Sequence, residues 1–155
     1  MPRSAASALA VPGAGPRLVG VDYGAKRVGI ALADPLGLYA HPHDTLSPSE
    51  AVDRLRALRD GEGIARVVVG WPLTPDGEEG PATARVRPFL ARLRKALPGV
   101  PIETYDERDS SARASAALVA GGARHVARRD RGRIDAAAAA VILQDYLDEQ
   151  VKGDE

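Results

Sequence analysis

The sequence predicts a single α/β domain in which helices flank both faces of a five-stranded mixed sheet. Two strand-like runs near the N-terminus are joined by a short connection that contains glycine, as in an antiparallel hairpin. A continuous apolar run, ARVVVG at residues 65–70, is typical of a strand buried on both faces. Helical and strand-like segments alternate beyond the hairpin, and 155 residues supply one core.

The chain begins with a segment that we expect to be disordered. Residues 1–16, MPRSAASALAVPGAGP, are rich in Ala, Pro, Gly and Ser and show no apolar periodicity. A transit peptide is the alternative, because the segment contains Ser and Arg but no acidic residue. We therefore predict a disordered extension over 1–16, a single domain over 17–150 and a short tail over 151–155.

The first half of the domain is predicted to contain a three-stranded meander and a helix. The strands are RLVGVD (17–22), VGIALA (28–33) and a third around Leu38 to Leu46. The connection YGAKR between the first two is short enough for a hairpin. The segment SPSEAVDRLRALRD has helical apolar spacing, with Ser49 as a candidate N-cap and Gly61 as a stop.

The second half is predicted to alternate helices with a strand. A loop, WPLTPDGEEGP, precedes a second amphipathic helix that Pro88 interrupts near its start. The elements are a helix over 82–97, the strand VPIETY (100–105), a helix over about 110–120 ended by Gly121-Gly122, and a helix from about 134 to 150. The order βββ-α-β-α-β-α-α favours a mixed sheet with helices on both faces.

Composition excludes several classes of protein. The chain has no cysteine, which excludes disulfide scaffolds, thiolate zinc sites, iron–sulfur clusters and cysteine nucleophiles. No run of about 18 apolar residues occurs, which argues against a transmembrane helix. A reducing compartment agrees with the absence of cysteine, so we expect a soluble, cytoplasmic protein without a membrane partner.

The zero net charge of the chain conceals two segments of opposite charge. Residues 113–133 carry six arginines against one aspartate, a net charge of +5, whereas residues 145–155 carry −4. A basic segment favours binding to a polyanion, although such segments are more often simply solvated surface. Aromatic residues make up only 4%, which argues against a stacking platform for single strands.

Two groups of acids lie at strand ends, where open α/β sheets place ligand sites. Asp22 ends the first strand and shares a face with Gly20, which leaves that face open, as Gly29 does on the partner strand. Asp106 and Glu107 end the strand VPIETY on opposite faces, so at most one of them joins Asp22. The ordinary alternatives are a turn aspartate and helix-start acids.

Asp135 heads the last predicted helix, and the residues that share its face are apolar: Ala138, Ala139, Ile142 and Tyr146. A carboxylate on an apolar face is costly unless it is paired or holds a cation. The ordinary alternative is that Asp135 is an exposed N-cap. One or two Mg²⁺ or Mn²⁺ ions suit a set of ligands formed by Asp22, Asp135 and either Asp106 or Glu107. These ions take carboxylate oxygens and leave coordination positions for a phosphate. No Walker loop, G-x-G-x-x-G or Ser-His-Asp arrangement occurs, and His41 and His43 are expected to be exposed.

Four ordered segments resemble the YqgF/RuvX family of Holliday-junction-resolvase-like proteins, which are also described as pre-16S rRNA nucleases. They are VGVDYGAKRVGIALAD (19–34), VVVGWPLTPDGEEG (67–80), YDERDSSARA (105–114) and RIDAAAAAVILQDYLD (133–148). The resemblance implies a ribonuclease-H-like fold. It also implies that Asp22, Glu107 and Asp135 are the catalytic, metal-binding acids, with Asp106 in support.

The resemblance further implies that basic residues meet the phosphates of a nucleic acid. These are Arg27, Arg108, Arg124, Arg128, Arg129, Arg131 and Arg133. The chain departs from the family at Asp109 and Ser110, where a hydrophobic residue and threonine are usual. Gly132 stands where related resolvases carry a second acid, which leaves the number of metal ions open.

These observations predict a metal-dependent endonuclease that acts on structured nucleic acid, either a four-way DNA junction or precursor 16S ribosomal RNA. A homodimer would suit the two-fold symmetric junction, although the sequence shows no interface. The main alternative is a catalytically silent nucleic-acid-binding or transcription-associated module of the same fold. A sugar-kinase or actin-like ATPase would need two domains of this type, and 155 residues supply one.

Overall fold

The computed structural model describes residues 15–107 and 128–153 of the chain. The helix predicted over about 110–120 and residues 1–14 of the predicted extension lie outside these ranges. The elements are β1 (Arg17–Tyr23), β2 (Val28–Ala33), β3 (Ala40–Leu46), α1 (Pro48–Asp60), β4 (Ile64–Trp71), α2 (Pro81–Ala96), β5 (Ile102–Asp106) and α3 (Arg128–Gly153). None of the helices in the described ranges is both long enough and apolar enough to cross a membrane.

The five strands form one mixed sheet in the order β3-β2-β1-β4-β5. Antiparallel pairing joins β1 to β2 and β2 to β3, whereas β1 with β4 and β4 with β5 are parallel. The predicted hairpin and meander are therefore confirmed. The parallel arrangement also brings the carboxyl ends of β1, β4 and β5 to the same edge of the sheet.

Apolar residues on the two faces of the sheet form two separate cores. One core packs α1 and α2 against β1, β2 and β4 and contains Val21, Ile30 and Val69. The other packs α3 against the opposite face and contains Val68 and Ile142. Because Val68 and Val69 point to opposite cores, β4 is buried on both faces, as the run ARVVVG predicts.

Helix α1 begins with a capping box at Ser47, so the predicted N-cap at Ser49 is wrong. The Ser47 Oγ accepts from the Glu50 backbone nitrogen at 3.3 Å, and Glu50 Oε1 accepts from the Ser47 backbone nitrogen at 3.2 Å. Pro48 occupies the first turn, where its missing N–H costs no hydrogen bond. The helix ends at Gly61, as expected.

Helix α2 continues through Pro88 without a break, contrary to the predicted interruption. Its buried face, which includes Val86, Phe89 and Leu93, packs into the core and stabilises the helix on both sides of the proline. Pro88 itself is exposed, so its ring needs no space in the core.

Glycines allow α3 to lie unusually close to the sheet. A Cβ on Gly20 would lie 2.8 Å from the Ala139 carbonyl oxygen and from Leu143 Cβ. A Cβ on Gly29 would collide with the Asp135 carbonyl oxygen and would lie 2.9 Å from the backbone nitrogen of residue 136. Since Gly29 meets only backbone atoms, no side-chain rotation can relieve an added methyl group.

The other end of α3 is held by a polar network. Arg66 Nη1 donates to the Tyr146 hydroxyl at 2.8 Å and lies 3.2 Å from Glu103 Oε2. The rings of Tyr105 and Tyr146 pack edge to face with centroids 6.1 Å apart. These contacts tie α3 to β4 and β5, so the helix is fixed to the sheet at both ends.

The connection between β2 and β3 is organised by Asp34. Its carboxylate accepts from the backbone nitrogens of Leu36 at 2.9 Å, Leu38 at 3.1 Å and Tyr39 at 2.8 Å. The Leu38 N–H has the largest effect on the pKa of Asp34, and with the other backbone donors it holds that pKa below its ordinary value of 3.8. The backbone donors of this loop therefore stabilise the ionised form of the carboxylate.

We expect Gly29→Ala to lower the free energy of unfolding by at least about 3 kcal/mol, the upper end for overpacking, because α3 must move away from the sheet. Urea unfolding followed by circular dichroism measures the loss. Gly15→Ala is the control, because its Cβ would have no neighbour within 4 Å. Equal stability of the two variants would contradict the close approach of α3.

We expect Asp34→Asn to destabilise the protein in a way that depends on pH. Because folding lowers the pKa of Asp34, its contribution to stability is fully present above the unfolded value near 3.8 and is lost as the pH falls through the folded value. The difference in unfolding free energy between wild type and variant should therefore be larger at pH 7 than at pH 3. A difference that does not change with pH would rule out this role of the carboxylate.

Candidate active site

Asp22 lies at the carboxyl end of β1, near the centre of the sheet. It pairs with Gly29 across the β1–β2 ladder, and its exposure is 6%. Because Gly20 packs against α3, alternation along the strand directs Asp22 to the same face. Asp22 is therefore buried on the face of the sheet that α3 covers.

Glu107 follows β5 at the same edge of the sheet. Its backbone N–H donates to the Trp71 carbonyl oxygen at 3.3 Å. Its carboxylate folds back over Gly70, since a Cβ on Gly70 would lie 2.9 Å from Glu107 Oε2. Val21 pairs with Val69, so the next residues on these strands, Asp22 and Gly70, are neighbours in the sheet. The missing side chain of Gly70 therefore gives Glu107 a place beside Asp22.

Asp135 lies inside α3 rather than at its start. The described part of the helix runs from Arg128, about six residues before the predicted start, and Asp135 is only 1% exposed. The alternative of an exposed N-cap is therefore wrong. Ala138, Ala139 and Ile142 on the same helical face are buried, as predicted. The backbone of Asp135 rests on Gly29, which pairs with Asp22.

The three acids thus lie along one row of the sheet that contains Gly29, Asp22 and Gly70 on adjacent strands. Neighbouring strands are about 4.8 Å apart, so one glycine on each side of Asp22 brings a further acid to it. Gly29 supports Asp135, and Gly70 supports the carboxylate of Glu107. The structure brings Asp22, Glu107 and Asp135 to the same edge and the same face.

Asp106 does not share this position. It pairs with Trp71, whose side chain belongs to the core on the opposite face, and Asp106 is exposed. Alternation between Asp106 and Glu107 explains the difference, because only Glu107 points toward α3. The structure therefore separates the predicted supporting acid from the other three.

Arg27 makes a contact that the sequence does not reveal. Its Nε donates to Asp135 Oδ2 at 2.8 Å, and the side chains are 39% and 2% exposed, respectively. A buried carboxylate needs such a counter-charge, because an uncompensated charge in the core is strongly destabilising. The two residues are separated by 108 positions, so no local pattern could have predicted the pair.

The structure describes only some of the other basic residues that were expected to contact phosphates. Arg108 and Arg124 lie outside the described ranges. Those at positions 128, 129, 131 and 133 belong to the first turns of α3, which lead directly to Asp135. The backbone therefore places this basic stretch at the same end of α3 as Asp135.

The carboxylates are the ligand type that Mg²⁺ and Mn²⁺ prefer, so the donor chemistry fits a hard divalent cation. Within residues 15–107 and 128–153, however, no three acidic or histidine side chains lie close enough to hold one ion together. His41 and His43 are exposed on β3 and do not contribute to this edge. The acids have the right chemistry and a common location, and they must draw closer to share an ion.

The backbone of Tyr105 pairs with Gly70 in the β4–β5 ladder, whereas its ring packs on Tyr146 at the far end of α3 from Asp135. Burial raises the pKa of its hydroxyl to about 12, and the nearby carboxylates of Glu149 and Asp145 add to this effect. The phenol is therefore protonated at neutral pH and can donate a hydrogen bond, but it is unsuited to act as a base.

The order of strands and helices defines a ribonuclease-H-like fold. The structure is similar to the Thermus thermophilus RuvC resolvase in complex with a Holliday junction substrate, with a TM-score of 0.50 and 18% identity over 88% of this chain and 96% of that one. It is also similar to the yeast mitochondrial Holliday junction resolvase, with a TM-score of 0.50 and 12% identity over 88% of this chain and 80% of that one.

The chain belongs to the RuvX family, described as Holliday junction resolvase, whose profile matches residues 16–149. A relative from Salinibacter ruber is 53% identical over 84% of this chain and 92% of its own length. A relative from Chlorobaculum tepidum is 46% identical over 85% of this chain and 93% of its own length. Both relatives carry the name "Putative pre-16S rRNA nuclease".

We expect Gly70→Ala to cost less stability than Gly29→Ala, about 1–2 kcal/mol, because its Cβ would meet the ends of two flexible side chains, Ile142 and Glu107. The methyl group should push the Glu107 carboxylate away from Asp22. Urea unfolding measures the first effect, and a crystal structure of the variant shows the second. An unmoved Glu107 carboxylate would contradict the role given to this glycine.

Proposed function

We propose that this protein is a divalent-metal-dependent endonuclease that hydrolyses phosphodiester bonds in structured nucleic acid. The observation that carries the proposal is the meeting of Asp22, Glu107 and Asp135 at one edge and on one face of the sheet. Three carboxylates that face the same end of the sheet would repel a phosphate, so a nucleic-acid site at this edge is suited to a cation. Membership of the RuvX family supports the same reaction class.

In this proposal Asp22, Glu107 and Asp135 hold Mg²⁺ or Mn²⁺, as one ion or two. A bound ion of this kind supplies Lewis acidity at a phosphoryl oxygen and lowers the pKa of water. The protein fixes the acids: β1 holds Asp22, α3 holds Asp135 on Gly29, and Gly70 leaves space for Glu107. The basic stretch at positions 128–133 and Arg108 would bind the phosphates on either side of the cleaved bond.

We propose precursor 16S ribosomal RNA as the substrate, and hence a cytoplasmic site of action. The names of relatives that are up to 53% identical support this choice. The four-way DNA junction is the second candidate, supported by the description of the family. That substrate would call for a homodimer, because a junction has two-fold symmetry and needs two symmetric cuts.

A catalytically silent nucleic-acid-binding module is the alternative from another class. Buried acids argue against it, because binding to phosphates alone gains nothing from carboxylates on the contact surface. Binding of RNA or of a junction without cleavage, under every metal condition, would favour this alternative.

We expect Asp22→Asn to reduce cleavage by more than about 100-fold, since loss of even an outer-shell partner of a metal site commonly costs 10–100-fold. Binding of the substrate should persist, because the phosphate contacts remain. The assay compares a labelled precursor 16S leader with a labelled four-way junction. Asp53→Asn is the matched control, because this exposed carboxylate of α1 lies on the opposite side of the sheet. Full activity of Asp22→Asn would refute the assignment of the site.

Removal of divalent cations should abolish cleavage by the wild-type protein, and added Mn²⁺ or Mg²⁺ should restore it, because the acids need the cation. Cleavage in the presence of EDTA would show that the acids act without a metal. Cuts in the RNA alone would identify a nuclease of ribosome maturation, whereas paired cuts in the junction alone would identify a resolvase.

A further inference from the structure

We propose that Arg27 is an exchangeable counter-ion, which occupies Asp135 in the metal-free protein and leaves it when a divalent cation binds. The inference rests on the proposed function, because it assumes that the cation binds at Asp135. It gives Arg27 a role as a positioning residue that neither the family resemblance nor the expected phosphate contacts assign.

The burial of the two side chains shows which partner can move. The Asp135 side chain is 2% exposed, and its backbone rests directly on Gly29, so this carboxylate is fixed. Arg27 lies in the connection between β1 and β2, and its side chain is 39% exposed. A long side chain at a hairpin end can turn into solvent without disturbing the core. Breaking the ion pair therefore requires motion of the arginine and not of Asp135.

The guanidinium lies against the carboxylate that the proposed cation would need. Arg27 Nε is 2.8 Å from Asp135 Oδ2, one of the oxygens that a cation would use. A divalent cation on this carboxylate and the guanidinium would repel each other across a short distance with little water between them. In the described ranges no three acids are close enough to share an ion while Arg27 holds this position.

An ordinary ion pair makes different predictions from an exchangeable one. If the pair serves only to stabilise the fold, removing Arg27 should destabilise the protein equally with and without metal. If the arginine and the cation exchange, its removal should destabilise only the metal-free protein and should increase the affinity for metal, because the cation no longer displaces a competitor.

The test is Mn²⁺ binding by the purified full chain, measured by isothermal titration calorimetry and by the rise of the melting temperature with Mn²⁺. We expect Arg27→Gln to bind Mn²⁺ about 10-fold more tightly than wild type, within the usual range for coupled ligands. Its melting temperature should be lower than that of wild type in EDTA and equal to it in saturating Mn²⁺. Lys26→Gln is the matched control, because it removes the same charge from the neighbouring exposed residue.

Arg27→Lys keeps the test decisive if Arg27→Gln does not fold. Lysine retains the charge but lacks the fixed fork of guanidinium donors, so its Mn²⁺ affinity should lie between wild type and the glutamine variant. Unchanged affinity in the Arg27 variants, or an equal increase in Lys26→Gln, would refute the exchange. Absence of Mn²⁺ binding to wild type would instead refute the proposed function, and the exchange with it.

The side chain of Arg27 offers a second readout that is independent of activity. The Nε–H of an arginine held by a buried carboxylate gives its own NMR resonance, which Arg27→Lys identifies by its disappearance. We expect Mg²⁺, which is diamagnetic, to shift this resonance to the position of solvent-exposed arginines. A resonance that stays in place at saturating Mg²⁺ would show that the ion pair persists and would refute the exchange.

Discussion

The close contact between the backbone of α3 and the glycines of the sheet determines the rest of this structure. Because Gly29 has no side chain, the Asp135 carbonyl group can lie directly against it. Gly20 allows the next turn of the helix, at Ala139, to approach the sheet in the same way. Any larger residue would lift the helix, and the carboxylate of Asp135 would no longer lie over the end of β1. The position of the acid is therefore set by backbone packing, which is more rigid than the choice of a side-chain rotamer.

The same contact creates an electrostatic problem that the hairpin between β1 and β2 resolves. A helix so close to the sheet leaves little room for water at Asp135, and a carboxylate without water needs a nearby positive charge. Arg27 supplies it from the connection that directly follows β1. The β1–β2 hairpin thus carries both Asp22 and the guanidinium that compensates the charge of Asp135.

Much of the fold could be predicted because its signals are local. Alternation in RLVGVD and VGIALA sets the hairpin, and the apolar run at 65–70 sets the central strand; the structure confirms both. The same alternation correctly separated Asp106 from Glu107. The S-x-x-E spacing at Ser47 and the proline after it are also local signals of the capping box, whereas the predicted N-cap at Ser49 is wrong.

Other features depend on contacts between distant parts of the chain. The early turns of α3 are not predictable from the sequence, because their many arginines indicate a charged surface but not where a helix begins. The Arg27–Asp135 pair joins residues 108 positions apart, and nothing in either segment specifies the other. The catalytic roles of the acids remain a prediction, which the geometry supports by placing them together.

The position of α3 in the chain has a consequence for synthesis on the ribosome. Domains begin to fold while the chain is still growing, and the β1–β2 hairpin and β4 are complete long before residues 128–153 are made. The nascent chain then contains Asp22 and, once β5 has been made, Glu107. The helix α3 is not yet present to cover Gly20 and Gly29. Asp135 therefore reaches the carboxyl end of β1 only when α3 has emerged from the ribosome and docked on the sheet.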